Sequence, residues 1–558
     1  MLLSLASCLS QSARWRHALF ALASLCAILL IGYHFGTFDQ SIHIPFLKKF
    51  ADPALYPANE EFFNLRFQHY SYFWFLFLPF YQMGILELTL FVAHYAATYL
   101  TFWAVWVLSD TLFHDPLANL LVVLALIVPH VGFSGFPIFE FSLLNRTVIL
   151  PFLLMALTLY LKKRYVQALA LIGVTCNFHV LSSTFVLCLF LFAGMLELRR
   201  IGWRTALVSL VTFGLCASPL LVWRALSPPV NFTPQPDWFW NVSQGLFLHL
   251  FYFIAPYPHI VLITLSGLSG LMLFLIALRQ RLSEHDGTVT LFVIAAMLIL
   301  TVQGLATYLQ PVTVLIQAQI MRVGLLALIL NYLYFAGYLA ARHRSGALRG
   351  TDFGGLVATF VTGILPLFPL MVWMLQRWPL ITRVRPALTG LIVVGGLAAG
   401  VLVGQTFQLW SPGIHVYMRP TAWHRAQMWA RDHTPHDALF ITPMHTWWLY
   451  DADWRVFSER AQVVSFADML EIAIVPDYFE TWARRFDELA PGARAQFRGN
   501  PFDNRLTIAR AYASLPDADL LRLAHAYGAD YVLVEKPNAR PWPVAYENEG
   551  FVIYAIDP

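Results

Sequence analysis

The feature that most constrains this chain is the succession of apolar runs, most about 20 residues long, that fills its first 404 positions. A helix of about that length crosses the hydrocarbon of a bilayer, and it does so because every backbone N–H and C=O is satisfied inside the segment. The runs fall at 18–34, 84–109, 117–132, 146–161, 203–226, 258–278, 287–308, 314–341, 351–375 and 386–404. Two shorter pieces, 165–177 and 180–197, flank a break at Asn177-Phe178-His179. Charged residues make up 12% of the chain, where a soluble domain carries about 25%. The pattern predicts a polytopic α-helical membrane protein with about 10–13 spans in residues 1–404.

Basic clusters mark the cytoplasmic side of such a protein. Lys162, Lys163 and Arg164 precede the broken stretch and Arg199 and Arg200 follow it, so it reads as a hairpin with His179 at its far tip. With the N-terminus inside, the long loop 35–70 faces outward. The side of the C-terminal region depends on 351–375, which contains Pro366 and Pro369. A single crossing there puts the C-terminal region inside; a re-entrant or split segment puts it outside.

Residues 405–558 change character, with short β-branched runs between helical stretches. Helices are expected at 420–433, 477–488 and 517–527, the last stopped by Gly528. Strands are expected at 437–442, 463–466, 531–535 and 551–556, giving a small α/β domain with a mostly parallel sheet. No G-x-G-x-x-G or P-loop occurs, which argues against a nucleotide binder. No basic block with interleaved aromatics occurs, which argues against nucleic acid. Five cysteines without a C-x-x-C indicate neither a zinc site nor a disulfide framework. The first run follows Arg14 and Arg16 without a small-residue cleavage pattern, so it reads as an uncleaved helix.

Polar groups in so apolar a chain identify the candidate site. The stretch YHFGTFDQSIHIP places Asp39 and His43 at the mouth of the first run. A carboxylate there suits a general base or a ligand for a divalent metal ion beside a lipid phosphate; the plain alternative is a solvated loop acid. His43 shares a helical face with Asp39 if the segment is helical. Glu60 and Glu61 are further acids of the same loop, which also carries Arg66 and His69. Arg322, in QAQIMRVGLLALILNYLYF, sits near one end of the 314–341 run, where an arginine needs a partner or snorkels to the interface. A phosphate fits its forked guanidinium. Arg146, in FPIFEFSLLNRT, either faces the same phosphate or pairs with Glu140. His179 either lines a cavity or caps the helices at its break. Trp238, Trp240 and Trp423 are expected as interfacial anchors.

The layout resembles the GT-C class of membrane glycosyltransferases. Three features carry the resemblance: an acid early in a long outward loop (FDQSIH), an arginine late in the bundle (Arg322), and a polar α/β region after the last span. The phrases MWARDHTPHDALFITP and YGADYVLVE are similar to the tail regions of large bacterial GT-C-like proteins. The resemblance implies a GT-C-like bundle in a bacterial inner membrane, an outward C-terminal domain, and a polyprenyl-phosphate sugar donor held among membrane lipid. It also implies Asp39 as the catalytic carboxylate, with Arg322, His43, Glu60, Glu61, Arg146 and His179 as binding groups. The usual second acid is not evident beside FDQ. The alternatives are a non-catalytic scaffold or envelope-polysaccharide assembly component, and a transporter, which the absence of an internal repeat disfavours.

Overall fold

The computed structural model describes all residues except 1, 58–59, 66–70, 131, 134–136, 228–236, 246–257, 310–311, 407–409, 447–450, 499–500 and 557–558. Arg66 and His69 therefore lie outside the described residues. The chain is a polytopic helical membrane protein with a C-terminal domain built around a small sheet. Among the described residues six helices are long and apolar enough to cross a membrane: Ala13–Ile31, Leu86–Phe113, Trp203–Leu226, Asp286–Ala306, Ile320–Arg344 and Arg385–Leu402. Shorter apolar helices pack with them, among them Asn145–Leu161, Tyr165–Cys176 and Val180–Leu196. The segment Ile320–Arg344 is enclosed almost completely by its neighbours, whereas Trp203–Leu226 turns most of its side chains outward, as a lipid-facing helix must.

Two expected spans are built differently. The 314–341 run is broken: a short helix Thr313–Gln317, a turn Ile320–Val323, then the helix Gly324–Arg344. Gln319 takes a left-handed conformation (φ 47°), which stops the first piece. Arg322 thus sits in the turn ahead of the helix rather than within it. The 351–375 run is also split, into Gly350–Thr362 and Leu367–Leu375. Pro366 has no N–H to give and disfavours helix in the residue before it. Gln376 donates to the Asp352 carbonyl at 2.8 Å, and Arg385 lies 3.5 Å from the Asp352 carboxylate. The segment therefore returns to the face it left, and it is a re-entrant hairpin.

That return puts the end of the last span on the face where the first span ends. Strand β1 (Tyr33–His34) pairs in parallel with β2 (Ile414–His415), and the His34 ring nitrogen lies 2.7 Å from the Ser411 hydroxyl. The C-terminal domain is thereby strapped over the loop that follows the first span. Phe46, Phe62 and Phe63 of the loop share one apolar core with Val463, Phe466, Tyr478 and Trp482. Each such fully buried side chain contributes about 1.5–3 kcal/mol. Polar ties add to it: Lys48 to Glu459 at 2.7 Å, and Tyr56 to the Arg455 carbonyl at 2.9 Å.

The sheet is β4-β3-β5-β7-β6, from β3 (Leu439–Ile441), β4 (Ala461–Gln462), β5 (Tyr531–Glu535), β6 (Val544–Glu547) and β7 (Phe551–Ala555). Only the β4-β3-β5 half is parallel; β5, β7 and β6 run antiparallel. The sheet is mixed rather than mostly parallel because β6 and β7 are joined by a tight turn at Asn548, and a connection that short joins only antiparallel strands. Trp238 and Trp423 are not interfacial: both are buried, donating to the Ile472 and Ala452 carbonyls.

Candidate functional site

The start of the loop 35–70 is folded by its own side chains. Gly36 (φ 78°) and Phe38 (φ 53°) turn the chain back after β1. Gln40 then accepts from the Gly36 N–H at 2.8 Å and donates to the Leu143 carbonyl at 2.9 Å. The His34 N–H donates to the Phe141 carbonyl at 2.7 Å, and the Phe38 and Phe141 rings lie 5.8 Å apart. These contacts lace residues 33–41 to residues 138–146. Asp39, first residue before the helix Gln40–Ala51, is thereby set against Glu140 and Arg146.

Arg146 holds both acids. Its Nη1 donates to Asp39 Oδ2 at 2.7 Å, and its Nε and Nη2 donate to the two Glu140 oxygens at 2.5 and 2.6 Å. The three side chains are mostly covered but not sealed, with exposures of 18% for Arg146, 20% for Asp39 and 19% for Glu140. Burial opposes charge on Asp39, but Arg146, His43 and Arg322 outweigh it and hold the carboxyl below its usual range. Asp39 Oδ1 makes no hydrogen bond among the described residues.

The other candidates divide into two groups. His43 lies one turn along from Asp39, its N–H donating to the Asp39 carbonyl at 3.1 Å, and its ring stacks on Trp74 at 5.2 Å. His179 caps the helix Val180–Leu196, its Nδ1 accepting from the Ser182 N–H at 3.2 Å, which leaves the ring proton on Nε2. Burial, then Arg146, Arg322 and His43, hold His179 well below the ordinary imidazole range, so it is neutral at pH 7. Arg322 lies close enough to load both Asp39 and His179 electrostatically. Asp39, His43, Arg146, His179 and Arg322 thus form one cluster, and Glu140 joins it. Glu60 does not: it is buried, caps the Phe62 N–H at 3.3 Å and pairs with Arg485 of the C-terminal domain at 3.3 Å. Glu61 points to solvent from the same turn. Both acids belong to the joint with the domain, because the Phe62 anchor directs this part of the loop into the domain core.

Glu140 brings a second carboxylate beside Asp39, joined to it through Arg146. The local signal in the sequence is its place six residues before Arg146. A metal ion fits the cluster poorly. Every Glu140 oxygen and one Asp39 oxygen accept from Arg146, and among the described residues no group of three His, Cys, Asp or Glu side chains is arranged to hold an ion.

Residues 421–489 match the model of a family described as a domain of unknown function (DUF6798). No curated protein matches the chain. Among solved structures it is similar to the archaeal oligosaccharyltransferase AglB from Archaeoglobus fulgidus, in complex with an inhibitory peptide and a dolichol-phosphate. The identity is 10% and the TM-score 0.49, over 93% of this chain and 69% of the other. The likeness assigns no residue and no reaction.

Proposed function

We propose that this chain is a membrane glycosyltransferase that moves a sugar from a polyprenyl-phosphate donor to an acceptor on the outer face of a bacterial inner membrane. One observation carries the reading. Two carboxylates from separate loops and two arginines converge, partly open to water, where apolar helices meet the strapped-on polar domain. A lipid-linked phosphate has to stay at such a boundary, with its prenyl tail among the helices and its sugar under the domain.

In this reading Arg322 and the neutral His179, through Nε2–H, hold the donor phosphate. The bond from the sugar's anomeric carbon to the phosphate oxygen breaks, and the electron pair leaves with the phosphate, whose growing charge Arg322 offsets. The acceptor hydroxyl bonds to the anomeric carbon and its proton passes to Asp39 Oδ1. The Arg146 pair makes Asp39 a weak base. A weak base suffices if the proton leaves late, once the acceptor oxygen is bonded to carbon and strongly acidic. His43 and Glu140 position Asp39, the latter by fixing Arg146. The test is sugar transfer from polyprenyl-phosphate donors by the purified protein and its Asp39→Asn variant, with thermal stability followed in parallel. Transfer by wild type alone, at equal stability, is the expected result.

A second reading, a non-catalytic scaffold, is favoured by the same ion pair, since a carboxylate tied to arginine is a poor base. It predicts an Asp39→Asn protein with unchanged biological function and a wild type inert toward every donor.

A further inference from the structure

The acids at the mouth suit a divalent cation by type, but the donor set does not. Arg146 takes both Glu140 oxygens and one oxygen of Asp39 in a planar fork, at 2.5–2.7 Å. Its guanidinium makes no other side-chain bond among the described residues, and all three of its nitrogens are engaged there. Carboxylates bind hard cations through the same lone pairs that accept these N–H bonds. An ion entering between them has to displace the arginine or sit beside a fixed positive charge. The surroundings are also unsuited: Arg322 adds a second positive charge, and Nδ1 of His179 is used by its own helix.

We propose that Arg146 is itself the cation of this site, occupying the place between Asp39 and Glu140 that a divalent ion would take, so that the cluster works without a metal. The inference deepens the glycosyltransferase reading and rests on it only for what the charge is for. Arg146 holds Oδ2 of Asp39, which orients Oδ1 toward the acceptor, and offsets part of the charge of the two acids, while Arg322 faces the phosphate in that reading. A permanent guanidinium does this at any metal concentration. It also explains the lacing of residues 33–41 to 138–146. A metal gathers its own ligands, but an arginine fork needs both carboxylates set at hydrogen-bond distance by the backbone, here through Gln40 and His34.

The deciding experiment is a calorimetric titration of the full-length protein in detergent, stripped with EDTA and freed of it, with Mn2+ and separately with Mg2+. Wild type is expected to show no saturable site that depends on Asp39. Arg146→Met, which keeps the length of the side chain and removes the charge, is expected to gain one Mn2+ site at least tenfold tighter than any in wild type. That site is lost again in the Arg146→Met/Asp39→Asn double variant. One ion bound by wild type and released by Asp39→Asn overturns the proposal; so does an Arg146→Met protein that folds and binds no ion. Should Arg146→Met fail to fold, wild type against Asp39→Asn and Glu140→Gln decides alone. The titration reads no turnover, so a chain inert toward sugar donors sinks the transferase reading and leaves this one to the heat signal. Turnover that persists in EDTA supports both, and turnover that requires Mn2+ sinks this one alone.

Discussion

Two arginines in this molecule each sit between two carboxylates, and their surroundings are opposite. In the C-terminal domain Arg455 lies between Asp468, at 2.7 Å, and Asp453, at 3.5 Å, all three with side-chain exposures of 0–2%. Around them Gln462 donates twice to Asp453, the Ser465 hydroxyl donates to Asp453, and the Phe62 ring of the loop lies 3.9 Å from the guanidinium carbon. At the mouth, Arg146 lies between Asp39 and Glu140 with about a fifth of each side chain exposed. No further side chain donates to either acid among the described residues. The same charge triad is sealed in one place and partly open in the other. A sealed triad can only hold the fold, since nothing reaches it. An open one keeps lone pairs for a visitor.

The comparison breaks first at Arg455. Arg455→Met leaves two buried carboxylates without their counter-charge, at a cost of about 3–5 kcal/mol. We expect loss of the cooperative thermal transition of the C-terminal domain and a sharp fall in yield of folded protein. The equivalent change at the mouth, Arg146→Met, should lower thermal stability far less, because water screens what remains. Comparable losses in melting temperature would mean that the mouth triad is structural too. The second test is chemical. Asp39→Asn should cut sugar transfer by about 10²–10⁴-fold with the melting temperature unchanged, a general base being worth that much. A variant in the sealed triad that folds, such as Asp453→Asn, should keep its turnover once corrected for folded fraction.

Why the two triads differ was only partly legible in the sequence. The apolar runs, the break at 177–179 and the polar C-terminal region follow from periodicity and composition, because lipid and water sort side chains strongly. Asp39, Arg146 and Arg322 stood out for the same reason, as charges in an apolar setting. Their meeting did not, since it depends on Gln40 reaching Leu143 across about a hundred residues of chain. In the sequence Glu140 reads only as a partner for Arg146, because nothing in FPIFEFSLLNRT says that a second acid approaches from the other side. Glu60 misled in the opposite sense: its loop is polar in sequence, but Phe62 and Phe63 carry it into the domain core. The re-entrant hairpin turned on Pro366, where the sequence allowed both a crossing and a return.

The strap joining the two regions gives a smaller and pH-dependent effect. Burial, offset by the Ser411 carbonyl and reinforced by His415 and Arg419, lowers the His34 imidazole to about 4. Its folded pKa lies below its released value of about 6.5, so the released strap binds more protons between those two values. Stability of the β1–β2 joint is full above about pH 6.5 and falls as pH drops toward 4, by about 3 kcal/mol in all. Limited proteolysis near residue 411 should therefore accelerate from pH 7 to pH 4.5 in wild type. A His34→Gln protein should show a flat profile. An equally steep profile in that variant would assign the effect to other groups.

The smallest expected effect calibrates the whole series. Arg425 and Glu549 form an ion pair on the surface of the same domain, with side chains 40% and 66% exposed. Water and salt screen such a pair, and two mobile side chains lose entropy to form it, so Arg425→Ala should cost less than about 0.5 kcal/mol. In the melting temperature of the domain that is a shift of about 2 °C or less. Sealed, half-open and exposed arginine–carboxylate contacts then line up as large, intermediate and negligible contributors to stability, with only the half-open one tied to turnover. A large loss at Arg425 would break that order. Burial would then no longer separate the triad that holds the fold from the one that meets a substrate, and the functional claim for Arg146 would rest on its chemistry alone.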